Sequence, residues 1–95
     1  MSPPLFEWDW DKDRQNQAKH GVSFELARLA FFDRDRVLIE DARHSSEEDR
    51  FFCVGRVGDG ILAVRFTHRG DRIRIIGAGY WRKWRALYEK KNRLH

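Results

Sequence analysis

Cationic side chains are concentrated in the last third of this chain, where their types and spacing suit the binding of phosphate. Residues 65–95 contain ten Lys or Arg and two acidic residues, whereas residues 1–64 contain nine and thirteen. Arg72 and Arg74 alternate with isoleucines, and Arg82 and Lys83 follow two aromatic residues. A field of this kind attracts polyanions, of which nucleic-acid phosphate backbones are the commonest. We therefore expect function to reside in residues 65–95.

Other chemistries find little support in the sequence. The histidines are scattered and there is one cysteine, so no zinc-binding pattern is present. Neither a phosphate-binding Gly-x-x-x-x-Gly-Lys-Ser loop nor a Gly-x-Ser-x-Gly nucleophile motif occurs. Gly77 and Gly79 have the spacing of the first two glycines of a dinucleotide-binding fingerprint, but the third glycine is absent. Cys53 falls in the apolar stretch 51–54, which predicts a buried, unreactive thiol.

The length and composition predict a single domain over residues 1–95, with frayed ends at 1–4 and 92–95. Forty-one per cent of the residues are hydrophobic, enough for one modest core. No run approaches the roughly 18 apolar residues that a membrane helix needs, and the first residues lack the features of a signal peptide. We expect a cytoplasmic protein.

The elements that must position the cations follow from local patterns. Residues 5–8 alternate as a strand does, and a helix begins at Asp9 or Asp11 and ends before Gly21. A second helix has Ser23 as its N-cap and continues to Phe31, after which residues 33–36 break it.

The rest of the chain predicts strands and one helix. Strands are expected at 37–40, 50–57, 61–67 and 72–78, with tight turns at 58–60 and 69–71. Trp81, Trp84 and Tyr88 then recur at helical spacing. The result is an α+β fold: an antiparallel sheet of about four strands plus a short N-terminal strand, two N-terminal helices and one C-terminal helix. Helices on one face of the sheet would bury apolar strand residues: Val37, Ile39, Leu62, Val64, Phe66, Ile73 and Ile75.

Strand alternation gives the arginines a common direction. Because Ile73 and Ile75 face the core, Arg72 and Arg74 must face the other way, and Arg65 and Thr67 share a face on the neighbouring strand. Two interpretations remain open: a phosphate-binding face, or an ordinary solvated face with salt bridges to the acidic N-terminal half. The aromatic residues of the last helix are more often core than base-stacking residues. An exposed one would favour binding of RNA or of a protein partner.

Several separated motifs resemble the BrnT family of type II toxins. They include Phe6-Glu7-Trp8-Asp9, Lys19-His20-Gly21-Val22-Ser23-Phe24 and Arg72-Ile73-Arg74-Ile75-Ile76, and the resemblance extends from about residue 6 to residue 89. It implies a small RelE-like fold and a growth-arresting ribonuclease that needs no metal or other cofactor. It also implies a cognate BrnA antitoxin, promoter DNA bound by the toxin–antitoxin complex, and a toxin dimer bridged by antitoxins.

RNA cleavage of this kind needs a group that takes the proton of the ribose 2′-OH, cations that stabilise the phosphorane, and a proton donor for the 5′-oxygen. The products would be a 2′,3′-cyclic phosphate and a 5′-hydroxyl. The histidines in the matching segments are candidates for proton transfer, and nearby cations for phosphate binding. The candidate catalytic residues are Arg69, Arg74, His68, His20 and Lys19, and the candidate RNA-binding residues are Arg65, Arg72, Tyr80, Arg82, Lys83 and Arg50.

Two glycines depart from the family pattern. Gly77 and Gly79 stand where many members have serine and arginine. A missing guanidinium removes a charge-assisted contact to phosphate, and such contacts are about twice as strong as neutral ones. The candidates to replace it are the Arg82–Lys83 pair and Tyr80. The alternative function is a catalytically weak relative that binds its antitoxin or nucleic acid.

Overall fold

The computed structural model describes residues 4–44 and 48–93, which form a five-stranded mixed sheet. The strands are β1 (Leu5–Glu7), β2 (Val37–Glu40), β3 (Arg50–Val57), β4 (Gly60–Arg69) and β5 (Arg72–Gly79). Their order is β1-β5-β4-β3-β2. The predicted α+β class is confirmed, but the sheet is not wholly antiparallel. Because the chain between β1 and β5 is long enough to return to the same end of the sheet, β1 pairs with β5 in parallel.

The helices begin where their capping residues predict. The Asp9 carboxylate accepts hydrogen bonds from the N–H groups of Asp11 and Lys12 and caps α1 (Trp10–His20), and Gly21 ends that helix with φ 69°. These backbone hydrogen bonds lower the pKa of Asp9. The Ser23 hydroxyl caps α2 (Phe24–Ala27). The last helix, α3 (Arg82–Arg93), includes two of the residues expected to be frayed.

The second N-terminal helix is shorter than predicted. After α2 the chain tightens into a 3₁₀ segment, Arg28–Phe32. This tighter turn lies directly on β3, where a Cβ built on Gly55 would be 2.4 Å from the carbonyl oxygen of Ala30. The close approach of the two backbones therefore requires glycine at position 55.

Helices cover both faces of the sheet, so the prediction that they pack on one face is wrong. On the first face, residues of α2 and the 3₁₀ segment pack against Val64, Phe66 and Ile75. On the second face, Trp84 and Tyr88 of α3 join a second cluster: Val54, Ile61, Ala63, Val37 and Phe52. Val37 faces this second cluster because it is paired with Val54. Since α3 contacts one end of the second face, the other end is left open by the helices of the described residues.

A β-bulge changes which residues of β5 face α3. Arg65 is paired with Gly77, whereas the next residue, Phe66, is paired with Ile75. Ile76 is the extra residue, so the alternation shifts by one position after Ile75. As a result Gly77 and Gly79 share the second face with Arg74, and Ala78 joins the core on the first face.

Asn16 fixes α1 to the edge of the sheet. Its buried side chain donates to the carbonyl oxygens of Val22 and Ala78, at 2.9 Å each, and accepts from the N–H of Ala78 at 3.2 Å. The side-chain amide thus makes the two hydrogen bonds with Ala78 that a neighbouring strand would otherwise make. It does so in the part of β5 that extends beyond the pairing with β1. This arrangement places α1 beside Gly77 and sets the position of the helix's cationic residues.

Asp33 fastens α3 to the rest of the molecule. Its Oδ2 accepts from the Tyr88 hydroxyl at 2.6 Å and from the Arg56 N–H at 2.7 Å. Partial burial opposes ionisation of Asp33, but these hydrogen bonds outweigh it and lower the pKa. Burial, followed by the hydrogen bond to Asp33, raises the pKa of Tyr88 to about 12.

Cys53 lies in the core of the first face, as predicted, and burial raises the pKa of its thiol to about 12. None of the helices within residues 4–44 and 48–93 has the length and apolar character needed to cross a membrane.

Candidate nucleic-acid interface

The open end of the second face carries a group of arginines, which we call the arginine face. Register pairs join Arg50 to Thr67, Thr67 to Arg74, and Arg69 to Arg72, so these side chains leave the same side of the sheet. Arg65 follows on the same side of β4. The arginine face therefore consists of Arg50, Arg65, Arg69, Arg72 and Arg74, of which alternation predicted Arg65, Arg72 and Arg74.

Carboxylates of the N-terminal half pair with these arginines. Glu7 lies between Arg72 and Arg74, at 3.9 and 2.8 Å. Glu48 contacts Arg50 at 3.8 Å and Arg69 at 3.7 Å. Asp41 is 3.3 Å from Arg65. The salt bridges of the solvated-face interpretation are thus present.

The pairs are not equivalent. Arg74 donates a hydrogen bond to Glu7 and is partly buried, whereas Arg69 and Arg72 are about half exposed and held more loosely. Exposed pairs of this kind contribute little to stability. Arg69 and Arg72 are consequently the members of the arginine face that can exchange their carboxylate for a phosphate at the lowest cost.

Next to the arginine face, between α1 and the start of α3, lies a second cationic feature. Two adjoining cavities of about 350 and 500 Å³ share Phe52, Arg65 and Trp81 in their walls. We call them together the cationic groove. Its positively ionisable residues come from α1, from position 43, from β4 and from α3: Lys12, Lys19, His20, Arg43, Arg65, Arg82 and Lys83. Among the lining residues that the structure describes, Asp41 is the one carboxylate, and it is the partner of Arg65.

Aromatic rings form much of the groove wall. The Arg65 guanidinium lies 5.1 Å from the centre of the Phe52 ring, and the Lys83 ammonium lies 4.8 Å from that of Trp84. Phe52 and Trp84 are themselves in contact, with centroids 4.6 Å apart. Cations held on aromatic faces keep a fixed position while remaining available to an anion.

Trp81 lies at the centre of the groove, close to the two glycines that depart from the family pattern. A Cβ on Gly79 would be 2.7 Å from Cη2 of the indole, so a side chain at this position would displace Trp81. Gly77, in contrast, has open space: the nearest atom to a Cβ there is Oδ1 of Asn16, at 3.9 Å. His20 packs edge-on against Trp81, with centroids 5.2 Å apart.

The structure divides the predicted site residues into three groups. Lys19, His20, Arg65, Arg82 and Lys83 converge on the cationic groove, and Arg50, Arg69, Arg72 and Arg74 lie beyond Arg65 on the arginine face. His68 and Tyr80 join neither group.

His68 is on the first face of the sheet, where its ring contacts Phe51 and Phe66. It is therefore separated by the sheet from Arg69, its neighbour in sequence. Tyr80 is exposed and covers Gly60, in a smaller depression with Ile61 and Arg85. Tyr88 is a core residue, as expected for this helix, and Trp84 is partly buried against the core while also lining the groove.

Among the groove residues that were missed from the sequence are Lys12, Arg43 and Phe52. A signal for Lys12 existed, because it is seven residues from Lys19 and two helical turns place both on one side of α1. Arg43 and Phe52 reach the groove through tertiary packing alone.

Comparison with known proteins identifies a family for this chain. The sequence profile of a family described as "Ribonuclease toxin, BrnT, of type II toxin-antitoxin system" matches residues 8–84, which is well over half of the chain. No individual curated protein matches.

Proposed function

Because the chain belongs to the BrnT family of ribonuclease toxins of type II toxin–antitoxin systems, we propose that it cleaves RNA in the cationic groove and thereby stops growth. The observation that carries this proposal is the convergence of Lys19, His20 and Arg65 on one groove. It combines an imidazole with cations around a space open to a polyanion. The neighbouring arginine face extends the positive surface along which the RNA backbone would lie.

The proposed reaction uses the RNA's own hydroxyl as nucleophile. The 2′-oxygen loses its proton and attacks the adjacent phosphorus, and the bond from phosphorus to the 5′-oxygen breaks. That oxygen takes up a proton, which leaves a 2′,3′-cyclic phosphate and a 5′-hydroxyl. Lys19 and Arg65 would stabilise the extra charge of the phosphorane. A mostly cationic lining suits this anion better than it suits a divalent metal ion, which supports a metal-independent reaction.

His20 is the group that we propose for proton transfer, because an imidazole can both accept and donate a proton. Of the two candidate histidines, it lines the groove, whereas His68 contacts phenylalanines across the sheet. The contact with Trp81 holds its ring in place.

The test is cleavage of bulk RNA by purified protein in EDTA, with identification of the 3′ ends. We expect cyclic phosphate ends, and a loss of about 100-fold or more in turnover for His20→Gln, because general acid–base catalysis contributes about 10²–10⁴-fold. His68→Gln is the matched control and should retain full activity. Loss of activity in the control alone would refute the assignment of His20. Expression of the wild type, but not of His20→Gln, should arrest growth.

A second candidate function is a weak or silent relative that binds nucleic acid or antitoxin without cleaving. The contact between Gly79 and Trp81 favours it, because the indole occupies the place of a side chain at position 79. Tight RNA binding without cleavage in the same assay would establish this alternative.

A type II toxin has a protein antitoxin as its partner. We propose that this partner is BrnA-like and that its complex with the toxin binds promoter DNA. We also propose that a toxin dimer bridged by antitoxins is the assembly. Electrophoretic mobility shifts on promoter DNA with the toxin alone, and then with the complex, test the first point. The mass of the toxin–antitoxin complex, measured by light scattering, tests whether it contains a toxin dimer.

A further inference from the structure

We infer that the end of the cationic groove next to α1 is a subsite for one nucleotide of the bound RNA, with its base stacked on Trp81 and its phosphate directed to Lys12 and Lys19. The inference takes its ligand class from the proposed function. Four features lie together at this end of the groove: an exposed indole, the residues that support it, an open space beside it, and the charges around that space.

Trp81 combines exposure with a fixed position. The residue is 39% exposed, whereas Tyr88 is in the core and Trp84 is partly buried against the same cluster. Gly79 lies directly against the indole, and His20 packs edge-on against it. A ring held in this way before the ligand arrives loses little conformational freedom on binding. An indole that stays exposed and fixed is a platform for a flat ligand.

The space beside Trp81 is large enough for a ligand and is left open by Gly77. This end of the groove has a volume of about 350 Å³, within the range of small-molecule sites. A Cβ on Gly77 would meet nothing closer than 3.9 Å, so a larger side chain here would occupy the cavity. Glycine at this position is not required by a left-handed backbone conformation. The absence of a side chain at position 77 leaves this part of the cavity empty.

The charges around this end favour a nucleotide over a peptide. Lys12, Lys19 and Arg65 line it, and none of the lining residues described there is a carboxylate. A nucleotide brings a planar base and an anion at a fixed separation within one unit. Stacking of that base on an aromatic ring, together with cations along the backbone, is how proteins hold single-stranded RNA.

The experiment measures equilibrium binding of two short probes that cannot be cleaved. One is a 2′-O-methyl hexaadenylate, and the other is an abasic oligomer with the same number of phosphates. Trp81→Ala should weaken binding of the adenylate about 10- to 100-fold, which is the range of stacking on one aromatic residue, and leave the abasic probe unchanged. Trp81→Phe should retain most of the affinity. Trp10→Ala, which removes an exposed tryptophan outside the groove, is the matched control and should bind both probes like the wild type.

Gly77→Val provides a second variant that leaves Trp81 in place. It should fill the cavity and again weaken only the adenylate, while thermal unfolding shows that the fold is retained. Equal loss of both probes in Trp81→Ala, or no loss of either, would overturn the subsite. So would a Gly77→Val protein that keeps its adenylate affinity but is no longer neutralised by co-expressed antitoxin, because the cavity would then belong to the protein partner.

This experiment separates the subsite from the ribonuclease proposal. Trp81-dependent binding by a wild-type protein that does not cleave RNA would leave the subsite standing and refute the activity. Normal cleavage together with unchanged adenylate binding in Trp81→Ala would do the reverse.

Discussion

Arg69 and Arg74 lie on the same arginine face but differ in how tightly a carboxylate holds them. We predict that Arg69→Ala lowers the log–log salt slope of binding to single-stranded RNA by about 0.7, the release of one counterion, with an unchanged melting temperature. Arg74→Ala should instead lower the melting temperature, because Glu7 loses the hydrogen bond that joins β1 to β5. Salt titrations and thermal unfolding measure both effects. An unchanged slope in Arg69→Ala would mean that RNA does not reach this end of the face.

Arginine and lysine should also differ on this face. In Arg69→Lys and Arg72→Lys the charge remains but the planar fork that can hold two phosphoryl oxygens is lost. We therefore predict a loss of affinity with little change in turnover at saturating RNA in both variants, because these arginines lie outside the groove in which cleavage is proposed. A turnover that falls as far as the affinity would place them at the reacting phosphate instead.

Burial and hydrogen bonding of the Tyr88 hydroxyl contribute stability that is lost at high pH. An unfolded tyrosine ionises near pH 10, whereas the folded pKa is about 12. The stabilisation is present below pH 10 and is lost as pH rises through about 12, because the unfolded state releases its proton first. We predict that Tyr88→Phe costs about 1–3 kcal/mol at pH 7 and loses less further stability than the wild type between pH 9 and 11. Urea unfolding of both proteins checks this, with the exposed Tyr80→Phe as control.

At the scale of elements, the strand glycines Gly55 and Gly77 differ in the space around them, which is filled at Gly55 and open at Gly77. Gly55→Ala would drive a methyl group into the Ala30 carbonyl of the 3₁₀ segment, and overpacking of this kind costs about 1–3 kcal/mol. Gly77→Ala meets open space, so we predict unchanged stability, or a gain of about 0.4–1 kcal/mol from a less flexible unfolded chain. Urea unfolding of the two variants side by side tests the close contact between β3 and the 3₁₀ segment. Equal stability would show that the two backbones can separate freely.

Local signals predicted most elements but not their packing. Asp9, Ser23 and Gly21 mark helix ends because each satisfies the backbone within a few residues, and their roles are confirmed. The bulge after Ile75 was not predictable, since it depends on pairing with β4. The groove was only partly predictable for the same reason. Its walls come from α1, β3, β4, β5, α3 and the segment 41–43. Phe52 gives no sign in the sequence that it lies beneath Arg65.

At the scale of the whole molecule, the uneven charge distribution predicts how the antitoxin acts. If the arginine face binds RNA as proposed, a complementary antitoxin segment would be attracted to the same surface, so the two should compete. We predict that an excess of uncleavable RNA slows association of the antitoxin, measured by stopped-flow fluorescence. An association rate indifferent to RNA, in a complex that leaves Arg69 and Arg74 open to solvent, would contradict this. Raising the salt concentration should slow association of the antitoxin without RNA as well.

The parallel pairing of β1 with β5 bears on when the protein becomes active during its synthesis. Glu7 and Arg74 are 67 positions apart, and contacts between such distant segments form slowly because a long loop must close first. A ribosome that has delivered only the residues up to 70 has supplied no partner for β1, and Trp81 and Arg82 follow later still. A translating cell therefore holds chains without a finished groove until the residues up to Trp84 have been synthesised. Chains that stop before Trp81 should accordingly lack the proposed ribonuclease activity, which assays of chains truncated at residue 80 would test.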